Sequence, residues 1–120
     1  MLQKKCALIT ALLFLSFFLP AQVKKDALAM YRASKFTEAI ETCLEEINEN
    51  PNNLDSYVVL SWALVAAQRY QDAAKWAEQG RTIARYDPRL IEILAEAHYY
   101  QGNNEQALRL FQEYISNAPN

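Results

Sequence analysis

Two stretches of this 120-residue chain are near copies of one another, and their spacing restricts the folds that the chain can adopt. Glu38 to Asn52 reads EAIETCLEEINENPN, and Gln106 to Asn120 at the C-terminus reads QALRLFQEYISNAPN. A third, less similar copy, DAAKWAEQGRTIA, begins at Asp72, halfway between the other two. The resulting period of about 34 residues is the length of two helices and their turns, and it is typical of stacked helical repeats.

Small residues keep the same register and indicate where the helices of each unit cross. An alanine follows an acidic or amide residue at three positions, each one period after the last: Ala39, Ala73 and Ala107. A second small residue stands at a constant distance before each of them: Ala27, Ser61 and Ala95. Small side chains at a crossing let two helix backbones approach closely. The register therefore predicts three helical hairpins.

The composition favours helices throughout, since the chain has only two glycines and is rich in good helix formers. Hydrophobic residues three and four apart predict six helices. The first helices of the units are predicted at Lys24–Ala33, Asp55–Ala67 and Arg89–Gln101. The second helices are predicted at Phe36–Glu49, Tyr70–Ala84 and Asn104–Asn117. Turns are expected at Ser34-Lys35, Gln68-Arg69 and Gly102-Asn103, and Pro51 and Pro119 close two units, because proline cannot continue a helix.

The same pattern assigns faces and ends to the helices. The second helices of units one and three are predicted to turn their apolar stripes inward: Ile40, Cys43, Leu44 and Ile47, and Leu108, Phe111 and Ile115. In unit two Arg85 stands where the closing proline is expected, so the second helix there is predicted to run longer. Arg81 and Arg85 suit the negative end of its dipole. Pro88 is predicted to open the next helix.

These residues resemble those of the tetratricopeptide repeat family over about Val23 to Asn120. The resemblance rests on the two sets of small residues, with Tyr57, Leu60, Ile91 and Leu94 in the first helices, Phe36, Tyr70 and Gly102 around the turns, and the closing prolines. It implies an all-α fold, a right-handed superhelical stack of three helix–turn–helix repeats (about 22–53, 54–87 and 88–120). The third small position of the family is Glu46, Gly80 and Tyr114 here, which predicts irregular packing between the units. Asp26 replaces an apolar residue of the first helix.

The N-terminus has the layout of a secretory signal peptide, with the basic segment MLQKK, the apolar run CALITALLFLSFFL and then LPAQ. The apolar run has 14 residues, whereas a membrane-spanning helix needs about 20. We expect residues 1–21 to be removed after Ala21 and the protein to be exported to the periplasm or cell envelope. Retention of the segment as a membrane anchor stays open, because Leu19 stands where a small residue is preferred.

Little in the sequence favours catalysis or a cofactor. His98 is the only histidine, no Gly-rich phosphate loop is found, and Glu92 and Glu96 suit a solvated helix face better than an acid–base pair. Residues 22–120 carry 10 Lys and Arg against 14 Asp and Glu, a net charge of −4 without a basic patch for nucleic acid. Cys43 is expected to be a buried thiol. We expect a non-enzyme without metal, cofactor, small-molecule substrate or nucleic-acid partner.

The resemblance implies that the first helices line a concave groove, which in this family holds a peptide or a partner's helix. Position by position, it gives these contact residues: Tyr31, Arg32, Asp55, Val58, Trp62, Val65, Arg89, Glu92, Glu96 and Tyr99. Lys24, Leu28, Ala66 and Tyr100 occupy further groove positions. Trp62 is the first candidate for an anchor, since Trp and Tyr are over-represented in interface hot spots. The alternative is that Trp62 and Tyr99 pack between adjacent hairpins.

The sequence also bears on two other modes of binding. Some family members grip a partner's C-terminal carboxylate with Lys, Asn and Arg, but here only Lys24 and Arg89 match. Leu28, Val59 and Ile93 replace the other polar residues, so this clamp is not expected. Self-assembly is the second mode, because nothing follows the third unit to cover the end of the stack. Tyr114 is predicted to be exposed there, and a possible homo-oligomer is the alternative to a scaffold for other proteins.

Overall fold

The computed structural model describes residues 24–118, so the predicted signal peptide lies outside the described residues. This part of the chain forms six α-helices and contains no strand. The helices are α1 (Ala27–Arg32), α2 (Phe36–Glu49), α3 (Leu54–Ala66), α4 (Tyr70–Arg81), α5 (Pro88–Tyr100) and α6 (Asn104–Asn117). The all-α prediction is confirmed, and α2 and α6 begin and end at the residues that the sequence predicts.

Capping determines where the helices differ from these expectations. α1 begins at Ala27 and not at Lys24, because the Asp26 carboxylate accepts a hydrogen bond from the Ala29 N–H at 3.1 Å and so caps the helix. α5 begins at Pro88, as expected, and Asp87 caps it by accepting from the Arg89 N–H at 3.0 Å. α3 lies one residue earlier than predicted, and α5 ends at Tyr100, one residue before its predicted end.

The expectation of a longer second helix in unit two is wrong. α4 ends at Arg81 and has 12 residues, whereas α2 and α6 have 14 each. The Thr82 hydroxyl donates to the Gln79 carbonyl at 2.6 Å, a local bond that competes with continuation of the helix. The segment from Thr82 to Asp87 is therefore a turn that leads into Pro88.

The turns inside the three hairpins are copies of one another. Their central residues have positive φ angles: Ser34 (61°), Gln68 (60°) and Gly102 (79°). In each turn the residue after the one with positive φ donates its backbone N–H to the carbonyl five residues earlier. These bonds are Lys35 to Met30 (2.8 Å), Arg69 to Leu64 (2.8 Å) and Asn103 to His98 (2.9 Å). This pattern is a Schellman helix end, which requires one left-handed residue. Only the third unit supplies glycine there, so the first two turns are strained.

Contacts between helices show how the hairpins stack. Each helix packs against the helices before and after it in sequence. The first helices also contact one another, α1 with α3 and α3 with α5, whereas α2, α4 and α6 make no such backbone contacts within the described range. A stack whose helices approach one another more closely on one side curves toward that side. The helices α1, α3 and α5 therefore form the inner wall of an α-solenoid.

The two sets of small residues lie in the interior, as predicted. Ala39, Ala73, Ser61 and Ala95 are fully buried, and Ala27 and Ala107 nearly so. The buried Ser61 hydroxyl donates to the Tyr57 carbonyl at 2.7 Å, so it leaves no unsatisfied polar group. Large side chains on either side of these positions fill two continuous clusters, around Leu60 and Leu64 and around Leu90 and Leu94.

The third small position of the units is filled differently each time, as predicted. In unit one the Glu46 carboxylate accepts a hydrogen bond from the Ser56 hydroxyl at 2.6 Å. In unit two a Cβ atom on Gly80 would lie 3.0 Å from Leu90 Cδ1 and 3.1 Å from Tyr57 Cβ, so a larger residue would require α3 or α5 side chains to shift slightly away from α4. In unit three Tyr114 is half-buried against the cluster around Leu90.

The predicted faces of α6 are wrong. Leu108, Phe111 and Ile115 are 59%, 38% and 71% exposed, and the helix instead buries Ala107 and Leu110. The predicted exposure of Tyr114 is likewise wrong, since it packs on the core. In unit one, the equivalent positions on α2 are Ile40, Cys43 and Ile47. All three are buried in a cluster that also contains residues of α3. The apolar stripe of a second helix thus faces the next hairpin and not its own. Leu44 is also 38% exposed.

Arg81 connects two helices whose backbones do not otherwise meet. Its guanidinium donates to the Glu113 carboxylate of α6 and, at 2.8 Å, to the Arg85 carbonyl, and its side chain is only 10% exposed. A charged pair that is this well covered is screened less by solvent than a surface pair. Arg81 was expected only to complement the dipole of its own helix, but it also joins α4 to α6.

The strained turns predict opposite effects of glycine and alanine. Gln68→Gly should stabilise the protein by about 0.5 kcal/mol, because relief of left-handed strain outweighs the added freedom of the unfolded chain. Gly102→Ala should destabilise it by about 1 kcal/mol through backbone strain alone, since no atom lies within 4 Å of the added Cβ. Urea unfolding measures both changes. Gln68→Ala is the control and should change little, and a loss of stability in Gln68→Gly would contradict the strain.

Candidate functional site: the inner groove

An open cavity of about 660 Å³ lies on the inner wall, between α1 and α3, and reaches Arg89 on α5. We call it the inner groove. Its apolar lining comes from Ala27 and Leu28 of α1 and from Val58, Val59 and Trp62 of α3. Its polar lining is Lys24, Lys25, Asp26, Arg32, Glu46, Asn53, Asp55, Ser56 and Arg89. The groove therefore has an apolar floor with charged residues around it.

Aromatic rings support one side of this floor. Trp62 is half-buried, and its ring stacks on Tyr31 with the ring centroids 5.8 Å apart and the planes at 28°. Tyr31 in turn packs at an angle against Phe36, with centroids 5.9 Å apart. Trp62 also packs against both core clusters. It therefore lies between hairpins and lines the groove, so the two alternatives considered from the sequence are not exclusive.

Arg89 is fixed at the rim of the groove by two carboxylates. Its guanidinium makes a bidentate pair with Asp87, at 3.0 and 2.7 Å, and its third nitrogen donates to Asp55 at 3.1 Å. The hydrogen bonds from Arg89 lower the pKa of Asp87 below its usual value, and those with Asp87 and Asp55 raise the pKa of Arg89. Asp55 and Arg89 stand one repeat apart, so this pair links equivalent positions of neighbouring hairpins.

Half of the ten predicted contact residues line the inner groove: Arg32, Asp55, Val58, Trp62 and Arg89. Val58 contributes little surface, since it is 1% exposed. Tyr31 lies behind Trp62, and Val65 packs between the two core clusters. Glu92, Glu96 and Tyr99 lie on α5 outside this cavity, and Tyr99 is 59% exposed.

Sequence reasoning missed several polar groove residues. Glu46 and Ser56 meet across α2 and α3, Asn53 precedes α3, and Asp26 caps α1. The family resemblance assigns groove positions to the first helices only, so it predicts no contact residue on α2 or before the start of α3. The Asp55–Arg89 pair could be predicted from the sequence, because the two residues have opposite charges at equivalent positions one repeat apart.

The remaining reactive side chains lie away from the groove's floor. Cys43 is fully buried, and burial, together with the nearby Glu46 carboxylate, raises the pKa of its thiol to about 12. His98 Nδ1 lies 3.3 Å from the Asn103 side-chain nitrogen. Between residues 24 and 118 no group of three or more His, Cys, Asp or Glu could hold a metal ion. None of the six helices in that range combines the length and apolar character that a membrane span requires.

Comparison with known proteins identifies the fold. No family model and no curated protein matches the sequence. The first TPR domain of Spaghetti (RPAP3), in a structure with the HSP90 peptide SRMEEVD, has a TM-score of 0.77 at 15% identity, over 81% of this chain and 77% of that one. The second RPAP3 TPR domain, bound to the same peptide, has a TM-score of 0.76 at 18% identity, over 79% and 88%.

A structure of MamA (MSR-1) is also similar, with a TM-score of 0.72 and 19% identity over 76% of this chain. The chain spans about half the length of two MamA chains that it matches, 52% and 49%, and 69% of a third. At these identities the similarity establishes the fold alone. The stack is the tetratricopeptide-repeat fold that the sequence resemblance implies.

The environment of Cys43 predicts an unreactive thiol. A pKa raised from 9.0 to about 12 lowers the thiolate fraction at pH 8 roughly a thousandfold, in addition to the effect of burial on access. Labelling of a chain without residues 1–21 by a thiol reagent should be very slow at pH 8 and become fast in denaturing urea. A Thr37→Cys variant, exposed at the start of α2, is the control and should react at once. Fast labelling of native Cys43 would contradict the described packing.

Proposed function

We propose that this chain is a non-catalytic protein interaction module that holds a peptide or helix of a partner protein in its inner groove. The observation that carries this proposal is the groove itself, with an apolar floor that includes Leu28 and Trp62 and a rim of charged side chains. A central apolar anchor within a polar rim is the usual build of a protein interface.

The neighbouring structures support this proposal through their shared fold. The two RPAP3 domains are bound to the HSP90 peptide SRMEEVD, so a stack of this shape can hold a peptide. The mode of binding proposed for this chain differs from a carboxylate clamp. Lys24 and Arg89 line the groove, but Leu28 and Val59 are apolar there, and Arg89 is already paired with Asp55 and Asp87. We therefore propose an apolar anchor on Trp62 and not a clamped chain end.

The proposed setting is the cell envelope of a bacterium, either as an exported protein or as one held at a membrane by an uncleaved N-terminal segment. This proposal rests on the sequence of residues 1–21 alone. The intact mass of the protein recovered from cells distinguishes the two forms. A mass that begins at Gln22 supports cleavage after Ala21, and the full-length mass supports the anchor.

A second candidate function is self-association through α6. The observation that favours it is the apolar stripe of Leu108, Phe111 and Ile115, whose equivalents in unit one are covered by the next hairpin. A second copy could cover this stripe. Self-association depends on protein concentration with the purified chain alone, whereas a scaffold for another protein stays monomeric.

Site-specific photo-crosslinking in the native cells tests both candidates. A photoreactive amino acid at Arg32 lies in the inner groove on an exposed position, and one at Leu108 lies on the exposed stripe of α6. Groove binding predicts one discrete adduct from position 32, and self-association predicts a dimer adduct from position 108. Position 41 is the matched control, because Glu41 is exposed on the outer helix α2.

Trp62→Ala should reduce the adduct from position 32 at least tenfold, as expected for loss of a central aromatic anchor. Because Trp62 also packs on the core, circular dichroism must show that the variant keeps its helices. If Trp62→Ala unfolds, Leu28→Ser replaces it in this test. Leu28 is a half-buried residue of α1, so the milder change removes apolar surface from the groove. Equal adducts from positions 32 and 41, or no adduct at 32, would overturn the groove proposal.

A further inference from the structure

We propose that the inner wall carries a charge gradient that orients its ligand, a partner segment with acidic residues at one end, apolar residues in the middle and Lys or Arg at the other. This inference rests on the proposed binding function and adds the chemistry and direction of the partner. The acidic end of the segment would lie at α1 and its basic end at α5.

Equivalent positions of the three repeats carry the gradient. Lys24, Val58 and Glu92 occupy one such position, and Leu28, Trp62 and Glu96 occupy another. The members from units one and two all line the inner groove. Glu92 and Glu96 follow Arg89 by three and seven residues, which places them on the same face of α5. Along the inner wall the side chains thus change from basic, through apolar, to acidic.

Several other charged groups of the wall already have partners within the chain. Arg89 lies on α5 with Glu92 and Glu96, and it donates to both Asp55 and Asp87. Of the carboxylates around α1, Asp26 caps the helix and Glu46 accepts from Ser56. Lys25 pairs with Glu45 at 3.6 Å. Arg89 and Lys25 are thus paired with carboxylates, which reduces their attraction for a ligand. Asp26 and Glu46 keep their negative charge, but one oxygen of each already accepts a hydrogen bond within the chain.

Two basic groups at the α1 end have no such partner. Among the described residues no carboxylate lies within 4 Å of the Lys24 or Arg32 side-chain nitrogens, and both residues are exposed. Both line the inner groove beside Leu28. Their charge is available to carboxylates of a bound segment, which could pair with them without breaking an ion pair of the chain.

The α5 end offers carboxylates together with an exposed aromatic ring. Neither Glu92 nor Glu96 pairs with a basic side chain in residues 24–118. Tyr99 follows them on the same face and is 59% exposed. Its ring rests edge-on against Tyr100, which stacks on Tyr70 with centroids 4.7 Å apart. This combination suits a Lys or Arg of the ligand, because its cation can pair with a carboxylate and lie over the Tyr99 ring.

The distance between the two ends sets the length of the ligand. Adjacent packed helices are about 10 Å apart, so the two steps from α1 to α5 cover roughly 20 Å. About 6 residues of extended chain or about 13 residues of helix span that distance. A segment of about 14 residues is therefore long enough to reach both ends in either conformation.

Selection from a display library tests the inference and does not require that the partner be identified. Random peptides of this length on phage are selected against immobilised chain without residues 1–21 and, in parallel, against its variants. The wild type should enrich peptides with Asp or Glu at one end and Lys or Arg at the other, around apolar residues. For a synthetic copy of an enriched peptide, Glu92→Lys with Glu96→Lys should weaken binding at least fivefold and select peptides that lack the basic end.

Glu41→Lys with Glu49→Lys is the matched control, because it makes the same charge change at exposed positions of α2 outside the groove. It should bind the peptide like the wild type. Enrichment without ordered charges, or equal losses in both double variants, would overturn the gradient and leave groove binding standing. Enrichment that Trp62→Ala or Leu28→Ser does not reduce, or no enrichment at all, would overturn groove binding itself and the gradient with it.

Discussion

The close approach of two helices at an alanine is the constraint on which the rest of this structure depends. Ala39, Ala73 and Ala107 on the second helices and Ala27, Ser61 and Ala95 on the first are all buried, as expected of positions at which the two helices of a hairpin cross. With small residues at the crossing, large residues must lie to its sides, where one hairpin cannot cover them. The next hairpin covers them, as α3 covers Ile40 and Ile47 of α2, so a single hairpin is not a stable unit and the stack is.

Curvature and function follow from how these hairpins meet. The first helices contact one another along the stack and the second helices do not, which leaves a concave wall. Some of its side chains, such as Lys24 and Arg32, are exposed in the groove, whereas others, such as Trp62, also pack on the core. Ion pairs connect neighbouring hairpins on both the outer and the inner side of the stack. Arg81 and Glu113 join α4 to α6, and Asp55 and Arg89 join α3 to α5 beside the groove. The Asp55–Arg89 pair is exposed and weak, so it contributes more to the charge pattern of the groove than to stability.

The sequence predicts the local features of this fold well, because period and capping are local signals. The limits of α2 and α6, the helix start at Pro88 and the three turns all follow from residues within a few positions. The sequence predicts poorly which helix of the stack packs against a given side chain. The stripe of Leu108 and Ile115 is visible in the sequence, but which helix covers it depends on the stack, so its predicted burial is wrong. Side-chain pairs across hairpins, such as Arg81 with Glu113, lack a local pattern and were missed for the same reason.

The most direct test of the alanine crossings is Ala73→Leu, assayed by urea unfolding. Ala73 is fully buried in the middle hairpin, and three added carbons there should force α3 and α4 apart and cost about 3 kcal/mol of unfolding free energy. Gln71→Leu, exposed on the same helix, should change the unfolding free energy by less than about 0.5 kcal/mol. If Ala73→Leu is as stable as the wild type, helix contact at the alanines does not determine the stack, and other contacts must do so.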